Sequence, residues 1–183
     1  VSVKIINADV EFITPIDGDV ILKRLEQCGR VCYKSESNIT DTSSQKFIAG
    51  IIKRGHEAVL EHCSFTVKFI CDRGVSHEIV RHRLAAYCQE STRYCCAMAE
   101  RQYLYMLECG ATPQEARSVL PNSLKTEVVM TADIREWRHF LKLRCSPAAH
   151  PQMREVAMIL LDKVHSLIPI CFDDIWGEYH EQS

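Results

Sequence analysis

The 183 residues contain no G-x-G-x-x-G, no C-x-x-C and no H-E-x-x-H. The first absence removes the dinucleotide fingerprint of a strand–turn–helix, and the third removes a helical zinc-protease site. His56-Glu57 with His62 does not qualify, because its histidines are six apart. Without paired C-x-x-C knuckles no structural zinc is expected, and the adjacent Cys95-Cys96 does not replace them. No apolar run approaches the roughly 18 residues of a membrane span, and no basic-then-apolar leader opens the chain. Excess charge is missing too. A net charge of −2 and a pI of about 6.5 argue against a nucleic-acid binder. Repeats and low-complexity linkers are absent, so the 183 residues are read as one domain. A domain of this size buries about 70% of its unfolded surface and needs no disulfide or metal staple.

Ten cysteines are present. With no export signal, reduced thiols in a cytoplasmic protein are expected, most of them serving as small core hydrophobes. The positive charge is clustered at Arg81, Arg83 and Arg93, then at Arg135, Arg138 and Arg144. Local basicity in a neutral chain suits small anionic ligands better than polyanions.

Along the chain, VKIINA (3–8) reads as an opening strand. Residues 18–33 place Ile21, Leu25, Cys28 and Cys32 at helical spacing. Ser43 or Ser44 is expected to cap a helix that runs through Ile52 and ends by Gly55. FTVKFIC (65–71) predicts a strand and VSHEIVRHRLAA (75–86) a helix. AMAERQYLYMLE reads as helix, yet it follows a strand-like RYCC with no turn residue between, so the chain looks short at Cys96–Ala97. Thr112-Pro113-Gln114-Glu115 predicts a capping box opening a helix to about Leu120. KTEVVMTA (125–132) predicts a strand, then a helix runs from 134 to about 144. The last helix, 151–168, carries Met153, Val156, Ala157, Leu160, Val164, Leu167 and Ile168 as a buried stripe. Short strands among helices without βαβ alternation predict an α+β fold.

The stretch RHRLAAYCQESTRY (81–94) poses the functional question, because it holds three guanidiniums. On a helix, successive residues sit about 100° apart, so Arg81, His82 and Arg83 would fan round the axis and could not share one pocket. R-H-R followed by seven residues and a serine resembles the signature of the flavin-dependent thymidylate synthases. GHEAVLEHCSF (55–65), ARSVLP (116–121), TADIREWRHFLKLR (131–144) and HPQMRE (150–155) are similar to further blocks of that family, in its order.

The resemblance implies an α+β domain with a small, mainly antiparallel sheet packed with several helices, assembling as a homotetramer with active sites shared between chains. It implies an enzyme that converts dUMP to dTMP, with 5,10-methylenetetrahydrofolate as carbon donor and FAD passing hydride from NADPH. Neither nucleic acid nor membrane is a partner. Carried over position by position, dUMP contacts fall on Glu78, Ile79, Val80 and Arg81, on Gln89, Glu90, Ser91, Thr92 and Arg93, and on Arg117 and Arg144. Planar guanidiniums suit a phosphate, which accepts paired, charge-assisted hydrogen bonds. Flavin contacts fall on His56, Ala58, Arg81, His82, Arg83, Gln89, Asp133, Ile134, Arg135 and His139. No metal is implied. Arg144 is the expected catalytic residue: a fixed cation that stabilises negative charge developing on the uracil ring.

The chain departs from the family's pattern in places. Asp133 stands for the usual asparagine, Ala58 for a frequent hydroxyl residue, and Gln89 for a glutamate, with Glu90 beside it. The rival readings are a paralogue that holds nucleotide or flavin without turnover, and a metal-dependent hydrolase suggested only by histidine and cysteine content. The cysteine nucleophile of the classical thymidylate synthases is not expected here.

Overall fold

A computed structural model describes residues 6–91 and 97–180. Its fold is α+β, built on a four-stranded, fully antiparallel sheet. The strands are β1 (Asp9–Phe12), β2 (Ser64–Asp72), β3 (Ala85–Gln89) and β4 (Lys125–Asp133), in spatial order β1-β2-β4-β3. The helices are α1 (Gly18–Tyr33), α2 (Ser43–Lys53), α3 (Arg73–Ile79), α4 (Ala97–Glu108), α5 (Pro113–Ala116), α6 (Ile134–Arg144), α7 (Pro151–Leu167) and α8 (Pro169–His180).

Period-two burial explains the two central strands. Phe65, Val67, Phe69 and Cys71 on β2 and Thr126, Val128, Met130 and Ala132 on β4 all turn to one face. Against that face α6 sets Trp137, which stacks on Phe65 at 5.0 Å and donates its indole N–H to the Phe65 carbonyl (3.2 Å). The stripe expected on α7 is buried except at Leu167, which is exposed; Ile168, also buried, is the residue that caps the helix.

Several expectations need correction. The opening strand lies at Asp9–Phe12, since pairing with β2 seats Val10 opposite Phe69 in the core; Ile6–Ala8 is irregular and residues 3–5 fall outside the described residues. Neither Ser43 nor Ser44 caps α2; the Ser43 hydroxyl instead donates to Glu26 Oε2 (2.8 Å). On α1 the buried face is Leu22, Leu25, Glu26 and Gly29, and Cys32 is exposed. The helix expected over 75–86 stops at Ile79, and 85–89 forms a strand instead. A backbone ladder with β4 outweighs the helical propensity of Leu84, Ala85 and Ala86 there. α8 was not foreseen. The capping box at Thr112 is present, with Glu115 Oε2 accepting the Thr112 N–H at 2.8 Å, but α5 tightens into a 3-10 turn at Arg117–Val119.

Of the eight described cysteines, Cys63, Cys71, Cys145 and Cys171 are buried, while Cys32, Cys88 and Cys109 are exposed. Cysteine is thus a core residue only in part. Burial pushes Cys71, Cys145 and Cys171 up to about 12, which keeps them thiols at neutral pH. Cys95 and Cys96 lie outside the described residues.

Where α1 begins, a Cβ on Gly18 would collide with the backbone carbonyl oxygen of Leu167. Backbone cannot yield as a side chain does. Gly18→Ala should therefore cost about 1–3 kcal/mol, read as a lower denaturant midpoint at unchanged m; an unaltered midpoint would disprove the close approach.

Candidate active site

The R-H-R segment is a turn. Val80–Leu84 connects α3 to β3, and its exposure alternates: Arg81 and Arg83 are exposed while His82 is buried. The helical fan gives way to simple alternation, which still sends the two guanidiniums away from His82. Tyr87 on β3 fixes the turn, its hydroxyl sharing one proton between the carbonyls of His82 (2.7 Å) and Ile79 (3.0 Å). Beneath the turn lies α6, whose Glu136, Phe140 and Arg144 fall at i, i+4 and i+8 and so share one face. The His82 ring rests on Phe140, with ring centroids 4.8 Å apart.

A chain of contacts crosses this face. Glu136 Oε1 lies 2.9 Å from His82 Nδ1, and the Arg144 Nε–H donates to His82 Nε2 at 3.2 Å. Arg144 Nη1 donates to Glu78 Oε2 (2.6 Å) and Nη2 to the Glu78 carbonyl (3.1 Å). Arginine has no acceptor, so His82 Nε2 must be the unprotonated nitrogen and Nδ1 must carry the proton. Burial, opposed by the Glu136 hydrogen bond and reinforced by the Arg144 cation, holds His82 below its ordinary value of 6.5. The unfolded chain then binds this proton more readily than the folded one. The stability from neutral His82 is complete above about 6.5 and declines as pH falls below it.

Among the described residues, three of the five N–H donors of Arg144 are spent on these partners, which leaves two. With 14% of its side chain exposed, the guanidinium remains reachable. Donor atoms of His82, Glu136 and His139 lie within 4.8 Å of one another. As a metal site the trio is poor: both His82 nitrogens are engaged, and the Arg144 cation opposes a second positive charge.

The remaining expected residues are spread around this centre. Gln89 donates to Ser76 Oγ (2.8 Å), Glu90 pairs with Lys125 (3.1 Å), and Ser91 and Arg117 are exposed. Ile79 is fully buried and Val80 half-buried. Thr92 and Arg93 lie outside the described residues. At the other end of α6, the Asp133 side chain caps the helix through the Glu136 N–H (2.8 Å), and Ile134 is in the core with its N–H on the Cys63 carbonyl. Arg135 pairs with Glu61. Glu61 belongs to the 3-10 turn Glu57–His62, which also carries exposed Ala58 and follows His56. His56 Nδ1 lies 2.6 Å from the Tyr33 hydroxyl. One helix of 11 residues, about 16 Å long, therefore carries both groups of candidates.

Arg138 is a correction to the basic cluster. It is buried and forked onto Asp174 (2.8 and 2.7 Å), so it serves the fold and not a ligand. Glu136 and Tyr87, which shape the centre, escaped the sequence reading because no local pattern marks them.

A family model described as thymidylate synthase complementing protein matches residues 21–102 and 95–170. The chain belongs to this family. Within it, proteins named flavin-dependent thymidylate synthase are similar to this chain. The one from Geobacter sulfurreducens is 31% identical over 79% of this chain and 78% of its own length. That from Pyrococcus furiosus is 31% identical over 74% and 68%. The Mycobacteroides abscessus protein is 30% identical over 91% and 83%. That last alignment spans 210 positions, more than the 183 residues here, so the relative carries residues this chain lacks. The two stretches matched by the thymidylate synthase complementing protein model meet at 95–102, where the sequence already looked short. The Asp133 departure has a physical reading: a helix N-cap needs only an acceptor, and aspartate and asparagine cap about equally well.

Proposed function

We infer that this chain is a flavin-dependent thymidylate synthase, with residues 1–183 acting as one domain. In the reaction, dUMP, 5,10-methylenetetrahydrofolate, NADPH and a proton give dTMP, tetrahydrofolate and NADP+. The observation that carries this reading is the convergence of His82 and Arg144, from two separate family-like blocks, with Glu78 from just before R-H-R, on one partly open centre.

The donor set fits FAD. Exposed Arg81, Arg83 and His139 offer nitrogen donors suited to a diphosphate and to the anionic edge of a reduced flavin. His56, Ala58, Asp133, Ile134, Arg135 and Gln89 complete the proposed flavin contacts, Ile134 through its backbone alone. Bound there, FAD supplies hydride carriage between nicotinamide and pyrimidine.

Glu78–Arg81, Gln89–Arg93 and Arg117 hold dUMP in this proposal, with the exposed Arg117 directed at its phosphate. Arg144 does the chemical work of the protein. Its two uncommitted N–H groups face charge that develops on the uracil N3 and carbonyl oxygens, while His82 and Glu78 keep the fork from turning. Leu84, 74% exposed beside Arg81 and Arg83, suits burial against a second chain, which favours a homotetramer with shared sites.

The test is tritium release from 5-[3H]dUMP by purified protein with FAD, methylenetetrahydrofolate and NADPH, with dTMP identified as product. Tritium release that depends on all three is the expected result. Flavin binding without any dTMP would replace this reading with that of a non-catalytic paralogue.

A further inference from the structure

We propose that Glu136 is a positioning residue for Arg144, acting through the tautomer of His82. The inference rests on the reading of Arg144 just given. Glu136 is a buried carboxylate in the first turn of α6, and its one side-chain hydrogen-bond partner among the described residues is His82. A carboxylate is not taken out of water without a return in hydrogen bonding. Here it accepts the proton on Nδ1, which forces the lone pair onto Nε2, the atom that faces the Arg144 Nε–H. In the other tautomer two N–H groups would meet, and in the imidazolium two cations would meet as well. Only the Nδ1–H form draws Arg144 in. The ring cannot evade the choice by rotating, because Phe140 lies under it and Tyr87 holds the His82 carbonyl. The titratable or charged groups facing His82 are Glu136, His139 and Arg144 from α6, Glu78 from α3 through Arg144, and Tyr87 from β3.

Glu136→Gln separates this role from mere packing. The amide keeps the shape and can hydrogen-bond either tautomer, so it loses the power to select one. Expected is a fall in kcat for dTMP formation of about tenfold, the scale of one charge-assisted hydrogen bond, with KM for dUMP nearly constant. Glu136 raises the affinity of His82 for its proton. In the variant the acid limb of the kcat–pH profile should therefore move to lower pH even as the maximum falls. The second readout needs no turnover. Long-range 1H–15N correlation on histidine-labelled holoenzyme, with the His82→Gln protein identifying the signal, should show Nδ1 protonated in the native protein and a mixture in Glu136→Gln. A native Nε2–H tautomer, or a Glu136→Gln enzyme with full kcat and an unmoved acid limb, would overturn the proposal. Should the variant not fold, the tautomer in the native protein decides alone. Absence of dTMP from the native enzyme would instead remove the functional reading, leaving the tautomer measurement to stand as a statement about the fold.

Discussion

Arg144→Lys should lower dTMP formation by ~10²–10³, the loss seen when one preorganised electrostatic donor is removed. The charge survives this substitution, but the geometry does not. Arg144 reaches His82 through Nε and Glu78 through both terminal nitrogens. A lysine ammonium offers three donors from a single point and cannot span those partners while also facing the substrate. The effect should lie in kcat, with FAD binding and its reduction by NADPH far less altered, because the charge being stabilised appears only during reaction. Arg117→Ala should behave differently, raising the dUMP requirement more than it lowers the maximal rate, as loss of uniform binding does. Near-native dTMP formation by Arg144→Ala would leave the catalytic assignment without support.

Arg138→Ala should be strongly destabilising, at about 3 kcal/mol. That is the low end for breaking a buried ion pair, chosen because the Asp174 side chain is 46% exposed and water can recover part of its solvation. Arg138 is 1% exposed, and burial disfavours its charge, yet the Asp174 fork more than compensates and its pKa is raised. It also donates to the Cys171 carbonyl and approaches Glu57 at 3.4 Å. One guanidinium thus ties α6 to α8 and to the 57–62 turn. Urea denaturation supplies the number, and pairing with Asp174→Asn supplies the mechanism: the double variant should lose less than the two single losses added. A loss under 0.5 kcal/mol, the ordinary scale of surface substitutions, would show that the fork contributes nothing.

Legibility in the sequence follows the range of the physics involved. α1, α2, α6, α7, β2 and β4 were visible because each satisfies its own period over nine or more residues. β3 was not, because five residues at a sheet edge owe their form to a partner strand about 40 positions away, and Leu84-Ala85-Ala86 reads equally well as a helix tail. α8 hides its buried Cys171, Phe172 and Ile175 behind Asp173, Asp174 and Gly177. At the centre, Arg144 and His82 could be picked out from ordered blocks, and Glu78 from its place just before R-H-R. Glu136 could not, because its role depends on which nitrogen of a histidine 54 residues away bears the proton.

β3 also has a dynamic consequence. It is short, hydrogen-bonded on one side only among the described residues, and placed last in the spatial order although β4 follows it in the chain. Such an edge peels away at a lower free energy than the β2–β4 pair. When it does, the Tyr87 hydroxyl leaves the carbonyls of Ile79 and His82, and the turn that seats His82 loses this anchor with the β2–β4 ladder still intact. Excursions of one edge strand thus set how often the relay is disconnected in an otherwise native molecule. Any ligand that requires a seated His82 binds only the connected fraction, and its apparent affinity falls by that fraction. Amide hydrogen exchange along 85–89 is therefore a local gauge of how ready the centre is.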